Sequence, residues 1–443
     1  MTYNEIIELG LKLGLEEIEL YSETEEGNVL KVFNGELSNY NSSNSFGMSI
    51  RAKYNGKMCY VYTETLEEAE IKSLLSALIE NAKSLTSTEP EFLYDGSGTY
   101  HNVYNPVADY ASHTLNEKIE LLKYLESTAK AKDSRVVSAG YCQYGESSTK
   151  IKIVNSKGLN LERTSSYMYA VLGITASSGE SVTMGFAQDI NKSFDKIEKE
   201  RVIKEAVENA VNSLGAESVE SGNYPVIFSN ETASDLLSAF SVIFAGDSAL
   251  RKLTILTDKV NQKVFGENIT IIDDPFCEQS IMKFAFDDEG VPCFTKSIVE
   301  NGVFKGFLHD MKTAAAFGTK STGNGFKATL RSSVSTLVSN LYLKPSTVTE
   351  DEIIKNTPKG LYITELNGLH AGLNSVSGDF NLQASGFMIE NGVKVRPVTL
   401  FVISGNFYEM MNDVVEIGNN IKERFQNVAS PTLKIGSLMV SGK

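Results

Sequence analysis

Four of the six Asn-Gly dipeptides, Asn34-Gly35, Asn55-Gly56, Asn301-Gly302 and Asn391-Gly392, constrain this chain more than any other feature. Each stands between runs in which apolar and polar residues alternate. A two-residue Asn-Gly loop favours positive φ at both positions, which matches the twist of antiparallel strands, so each dipeptide predicts a hairpin. Around the first two, EIELYSETEE, VLKVFNGELSNYN and SFGMSIRAKYNGKMCYVYT read as strands. The other two centre SIVENGVFKGFLHD and GFMIENGVKVRPVTLFVISG, whose likeness points to a repeat within the second half.

Helical spacing surrounds these hairpins. Thr2 and Glu5 have capping-box spacing before Ile6, Ile7, Leu9 and Leu13, and Thr65 and Glu68 have it near Leu66, Leu74, Leu75, Leu78 and Ile79. A second round follows. Thr114 and Glu117 predict a helix with Leu115, Ile119, Leu122 and Leu125 on one face. Three strand-like runs in STKIKIVNSKGLNLERTSSYMYAVLGITASSGESVTMGF come next, and a helix over 195–214. The repeated order predicts a duplicated α+β module, although few residues are identical between the copies. Gly215 to Pro225 is the expected linker, followed by the strand PVIFS and a helix from Asn230, as N-cap, to about Phe244. The expected parts are 1–110, 111–221 and 222–443.

Composition narrows the function classes. A chain of 443 residues with 42% hydrophobic and 22% charged residues folds, as more than one domain. Its formal charge of -15, with no basic run, disfavours nucleic acid as a partner. Cys59, Cys142, Cys277 and Cys293 are far apart, form no C-x-x-C pair and fit a reducing compartment. No apolar stretch is long enough to span a membrane, and the N-terminus lacks signal-peptide features. A cytoplasmic location without membrane contact is the expectation.

Particular stretches carry a family resemblance. They are IIDDP (Ile271 to Pro275), FDDEGVP (Phe286 to Pro292) leading into VENGVFKGFLHD (Val299 to Asp310), STGNG (Ser321 to Gly325) with SNLYLKP (Ser339 to Pro345), and SGDFNLQASGFMIENG (Ser377 to Gly392) with SGNFYEMMNDVVEIGNN (Ser404 to Asn420). In this order they resemble the C-terminal domain of the TldD/PmbA family, peptidase U62-type proteins long named as modulators of DNA gyrase. NGELSNYNSSNSFGMSIRAKYNGKMCYVYT resembles that family's first domain, so the likeness covers essentially the whole chain. It implies an α+β fold with duplicated N-terminal α/β modules and a C-terminal domain rich in twisted mixed β-sheet. It also implies a dimer enclosing a cavity that admits unfolded peptide.

In the TldD branch a helix early in the second half carries H-E-x-x-x-H, and a cysteine near the chain end helps hold zinc. Two imidazoles on one helical face can bind Zn²⁺, and the Glu can act as base on its water. Here counting back from Thr257 places LSAFSV at that motif, with Leu237 and Val242 at the two His positions and Ser238 at the Glu position. No cysteine follows Cys293, and no histidine lies between His113 and His309. This pattern resembles the PmbA (TldE) branch, and it leaves no metal ligand, cofactor or catalytic residue to assign.

His309-Asp310 and His370 with Asp379 pair imidazole with carboxylate, but in no known ligand spacing; surface or hydrogen-bonded histidines are the simpler reading. Asp287, Asp288 and Glu289 offer paired carboxylates for acid–base work or a cation, against the plainer reading of a turn opened by Gly290. STGNG and SGDFNLQASG match no phosphate loop, and no G-x-S-x-G elbow occurs. The resemblance places these segments along a cavity or a substrate strand's docking edge, making Asp287, Asp288, Glu289, Asn324 and Asp379 the docking candidates.

The expected function is that of a non-metal subunit that joins a TldD-type zinc subunit to process small unfolded peptides, inactive by itself. One alternative is a stand-alone homodimer that binds peptides without cleaving them. Another is a regulator of gyrase by protein contact. Peptidase activity from the chain alone, through an unrelated site, is a further alternative.

Overall fold

A computed structural model describes residues 1–86, 91–422 and 427–443. The N-terminal part runs α1 (Tyr3–Lys12), β1 (Glu17–Phe33), β2 (Glu36–Tyr54), β3 (Lys57–Thr63), α2 (Glu68–Ser84), then α3 (Leu115–Lys132), β4 (Val136–Asn155), β5 (Asn160–Ser178), β6 (Ser181–Asn191) and α4 (Lys199–Val211). Helix, three-strand meander and helix thus occur twice. The two meanders do not form separate sheets: β1 pairs antiparallel with β4, giving one sheet in the order β3-β2-β1-β4-β5-β6. Its helix-side face is apolar in both modules. Ile18, Leu20, Ile50 and Leu75 pack in the first, and Leu122, Tyr144, Leu172 and Ile203 in the second.

The Asn-Gly pairs at 34, 55, 301 and 391 have positive φ at both residues, as hairpin loops with this chemistry require. Capping boxes form at Thr2–Glu5 and Thr114–Glu117. The one expected at Thr65 does not. The hydroxyls of Thr63 and Thr65 instead serve the turn leaving β3, where Thr65 Oγ1 accepts from Glu67 N–H, and Glu67 opens α2 without a side-chain cap. Phe194–Lys196 forms a 3₁₀ turn, so α4 begins four residues later than predicted, at Lys199.

The C-terminal part begins with β7 (Gly222–Phe228), which takes in the end of the predicted linker. Val219, also in that tract, is fully buried in the C-terminal core. Next come α5 (Asn230–Phe240), α6 (Gly246–Leu250), β8 (Ile271–Asp273), β9 (Lys296–Glu300), β10 (Val303–Phe304), α7 (Met311–Ala316), β11 (Gly325–Lys327), β12 (Val334–Thr336), β13 (Leu341–Leu343) and α8 (Glu350–Lys355). The chain finishes with β14 (Lys359–Asn367), β15 (Asp379–Glu390), β16 (Val393–Asn406), α9 (Phe407–Asn412), β17 (Val414–Ile417), β18 (Val428–Ala429) and β19 (Leu433–Ser441). Strands β16-β15-β14-β7-β19 close into a barrel through a β16–β19 pairing, and the β14–β7 pair is parallel, so the sheet is mixed. Ser229, not Asn230, caps α5: its hydroxyl accepts from Thr232 N–H, and Asn230 is the first helical residue. The helix stops at Phe240, whose ring stacks on Phe407 at 4.4 Å, and a 3₁₀ turn continues over Ser241–Phe244.

Candidate functional site

The turn at 287–289 grips the N-terminal sheet. Asp287 accepts backbone N–H bonds from Glu289 and Val291, which fold the turn on itself, and from Gly325 on β11. Gly290 has φ +81, and a Cβ there would stand 2.5 Å from Leu159 Cδ2. Asp288 accepts from Tyr21 Oη on β1 at 3.0 Å, from Arg163 Nη2 on β5 at 2.5 Å and from Lys327 N–H. Glu289 accepts from Met311 N–H at 2.7 Å and faces Arg51 on β2 at 3.5 Å, while Arg51 meets Glu19 at 2.8 Å. All three carboxylates are at most 4% exposed.

Burial governs the charges here. It raises the carboxyls of Asp287 and Glu289 well above the usual range. It lowers Lys327 to about 8. Burial opposes the Arg51 charge too, but Glu19 and Glu289 outweigh it, so the guanidinium is held protonated more firmly than usual. Every carboxylate in this turn is occupied by donors of the fold, so the arrangement does the work of a joint between sheet and C-terminal domain.

The hairpin 325–336 straps the same joint from the side. Leu330 packs with Tyr21, Ile153, Leu159 and Phe286, and a Cβ on Gly47 would come within 2.4 Å of it. Arg331 lies 4.2 Å over the Tyr62 ring and pairs with Glu64 at 3.0 Å. Asn324 is fully buried one residue before this hairpin. Its amide donates to Asp273 and to Leu337 O, and its oxygen accepts from Lys296 and Thr322. Asp379 lies elsewhere, exposed at the start of β15, where bonds from Asn406 and Ser377 lower its pKa. Two cavities, of about 970 and 400 Å³, are lined by none of these five residues.

Around LSAFSV the donor set does not fit zinc. Leu237 is packed in the C-terminal core, Ser238 is half-buried, and Val242 is 46% exposed on the 3₁₀ turn. The segment holds no imidazole, thiolate or carboxylate. Nearby, Gly246 lies against His309, where a Cβ would be 2.5 Å from Nδ1. The Thr313 hydroxyl donates to Asp310 Oδ1 at 2.6 Å, so the 3.2 Å contact to His309 Nδ1 makes that ring nitrogen the donor. Burial lowers the His309 pKa. Asp310 caps α7 through Thr313 N–H, and His370 is exposed before β15. Among the described residues no three His, Cys, Asp or Glu side chains are grouped to hold a metal ion.

Sequence reading missed Tyr21, Arg51, Arg163 and Lys327. Glu19, Tyr21 and Arg51 occupy the polar face of alternating strands, a signal indistinguishable from a solvent face until the C-terminal domain covers it.

Family models for the PmbA/TldA metallopeptidase match domain 1 over residues 18–82, the central domain over 109–214 and the C-terminal domain over 221–442. This chain belongs to the PmbA/TldD family. It is 24% identical over 411 residues to a Haemophilus influenzae metalloprotease PmbA homologue, covering 92% of this chain and 88% of the relative. A Buchnera aphidicola metalloprotease TldD homologue is 27% identical over 386 residues, covering 81% and 77%. Among solved structures, a Thermotoga maritima protein described as a candidate modulator of a DNA gyrase superposes with TM-score 0.90 at 29% identity, covering 99% of each chain. TldE from Thermococcus kodakarensis shares the fold, with TM-score 0.89 at 24% identity and 99% coverage of both chains.

Proposed function

We propose that this PmbA/TldD-family chain is the metal-free, PmbA/TldE-like subunit of a two-subunit peptidase that processes small unfolded peptides in the cytoplasm, with a zinc-bearing TldD-type relative as its partner. The observation that carries this reading is the side-chain chemistry at Leu237, Ser238 and Val242. A core leucine, a serine and an exposed valine stand at the positions that the family resemblance assigns to H-E-x-x-x-H, and none of them can supply a zinc-binding nitrogen. Membership of a family whose relatives are named metalloproteases supports the peptidase setting. No described helix is long and apolar enough to cross a membrane, which accords with a cytoplasmic site. Without ligands of its own, the chain contributes binding surface and leaves water activation to the partner.

The test is metal analysis and peptide cleavage on the chain purified alone and after coexpression with its nearest H-E-x-x-x-H relative. Zinc and chelator-sensitive cleavage are expected only in the copurified pair. Stoichiometric zinc in the isolated chain, or failure of the two chains to copurify, overturns the reading.

A further inference from the structure

An asparagine followed by glycine can lose its side-chain amide spontaneously, because the glycine nitrogen reaches the Asn Cγ with no Cβ of its own in the way. The chain has six such dipeptides, and the fold ties down the reacting nitrogen in five of them. Gly35 N–H donates to the Glu126 carboxylate at 2.8 Å and Gly56 N–H to that of Glu16 at 3.1 Å. Gly302 donates to Ile269 O at 2.8 Å, Gly325 to Asp287 at 2.8 Å and Gly392 to Thr357 O at 3.2 Å. Attack needs that nitrogen deprotonated and turned toward the Asn side chain. A hydrogen bond that must break first therefore slows the reaction about tenfold, and more where the acceptor is ionised.

Asn367-Gly368 differs at each reacting group. Asn367 is the exposed last residue of β14, and its side chain has no partner among the described residues. Gly368 has φ +88 and leaves the β14–β15 ladder. Its carbonyl accepts from Ala371 and Gly372, but among the described residues its N–H finds no acceptor. A Cβ built on Gly368 would meet nothing within 4 Å, so a ring closing there has room to form.

We propose that Asn367 is a site of spontaneous covalent modification, converted through a cyclic imide to aspartate and isoaspartate, while the fold protects the other five Asn-Gly pairs. Solvent base takes the Gly368 N–H proton, the nitrogen bonds to Asn367 Cγ, the Cγ–Nδ2 bond breaks, and ammonia leaves. Water then opens the imide. Cleavage of the new Cγ–N bond gives aspartate, and cleavage of the original peptide C–N bond gives isoaspartate, whose main chain runs through Cβ and Cγ. One water is consumed and one ammonia released, and nothing is oxidised or reduced. Either product adds a carboxylate to a chain of net charge -15, and isoaspartate lengthens the main chain at the residue that closes the β14–β15 ladder against Gln383. The proposal goes beyond the peptidase reading, and its test needs no peptidase activity.

Peptide mapping of the full chain, aged in native buffer at pH 6 and pH 8 and in urea at pH 8, tests it. In the native chain at pH 8, product at 367 should accumulate at least about tenfold faster than at 34, 55, 301, 324 or 391, and in urea that preference should vanish. Loss at 367 should be faster at pH 8 than at pH 6, as attack by a deprotonated nitrogen requires. A second variant moves the protection itself. Glu16→Ala removes an exposed acceptor, freeing Gly56 N–H, and should speed loss at Asn55 by about tenfold without changing the thermal melt. Equal native rates at the six sites, another site modified first, or an Asn55 rate indifferent to Glu16→Ala overturns the proposal.

Discussion

Replacing Glu289 with Gln changes one proton and almost no shape. Burial, opposed by Arg51 and reinforced by Asp287, raises this carboxyl from 4.5 to about 8 in the folded chain. A carboxyl with a folded pKa above its unfolded value binds its proton more tightly when folded. Its stabilisation is complete below about pH 4.5 and is lost as the pH rises toward 8. One such proton changes the unfolding free energy by about 1.4 kcal/mol per pH unit inside that window. Gln has no proton to lose, and its side-chain oxygen can still accept from Met311 N–H, so the variant should gain on the parent by about 2.7 kcal/mol between pH 5 and pH 7. Asp287, raised by burial to about 7, titrates in both proteins and cancels to first order in their difference, while Lys327, lowered by burial to about 8, titrates above this interval. Urea titrations of both proteins at pH 5, 6 and 7 read the effect as a change in midpoint at constant slope. If the difference between them drifts by less than about 0.5 kcal/mol over that range, Glu289 is ionised in the folded chain and the reasoning fails.

Three further outcomes follow from the same contacts. Arg163→Met keeps an apolar stem near Phe284 and Phe286 but removes the 2.5 Å bond to Asp288 and the bond to Phe286 O, and it should cost about 3–5 kcal/mol in urea unfolding. Gly47→Ala forces a methyl against Leu330 and Tyr62, so a loss of about 1–3 kcal/mol is expected together with faster amide exchange in the hairpin 325–336. The triple change Leu237→His, Ser238→Glu, Val242→His should bind no stoichiometric zinc by metal analysis, because position 237 packs in the core and position 242 faces outward.

What was legible in the sequence is what local chemistry decides. The Asn-Gly loops and the boxes at Thr2 and Thr114 are settled within a few residues, and they appear where expected. Thr65 failed because the same hydroxyl chemistry that caps a helix also closes a turn, and here the turn leaving β3 claims it. The run Asp287-Asp288-Glu289 was visible as carboxylates, but their partners Tyr21, Arg51 and Arg163 lie 267, 238 and 125 residues away in the chain. No periodicity reports a contact at that range. The aliphatic residues at 237 and 242 could be located by counting, whereas their separation between core and surface required the break from α-helix to 3₁₀ turn at Ser241.

The duplicated sheet explains why its two halves share an element order and so few residues. On the helix side both modules meet the same demand, an apolar face under two helices, and both satisfy it with aliphatic side chains. On the other side the demands differ. The C-terminal domain covers the first module's outer strands, where Arg51 faces Glu289 and Tyr62 faces Arg331. At the topologically equivalent edge of the second module, Val182, Met184 and Phe186 on β6 remain 64%, 59% and 49% exposed. At the sheet edges, therefore, positions related by the duplication meet the C-terminal domain in one copy and solvent in the other. The helix side thus shares one pattern, while the opposite side has no common environment. Substitutions that exchange helix-side residues between the modules should consequently be tolerated better than an exchange at Arg51, where a side chain from the second module would leave Glu19 and Glu289 without their guanidinium.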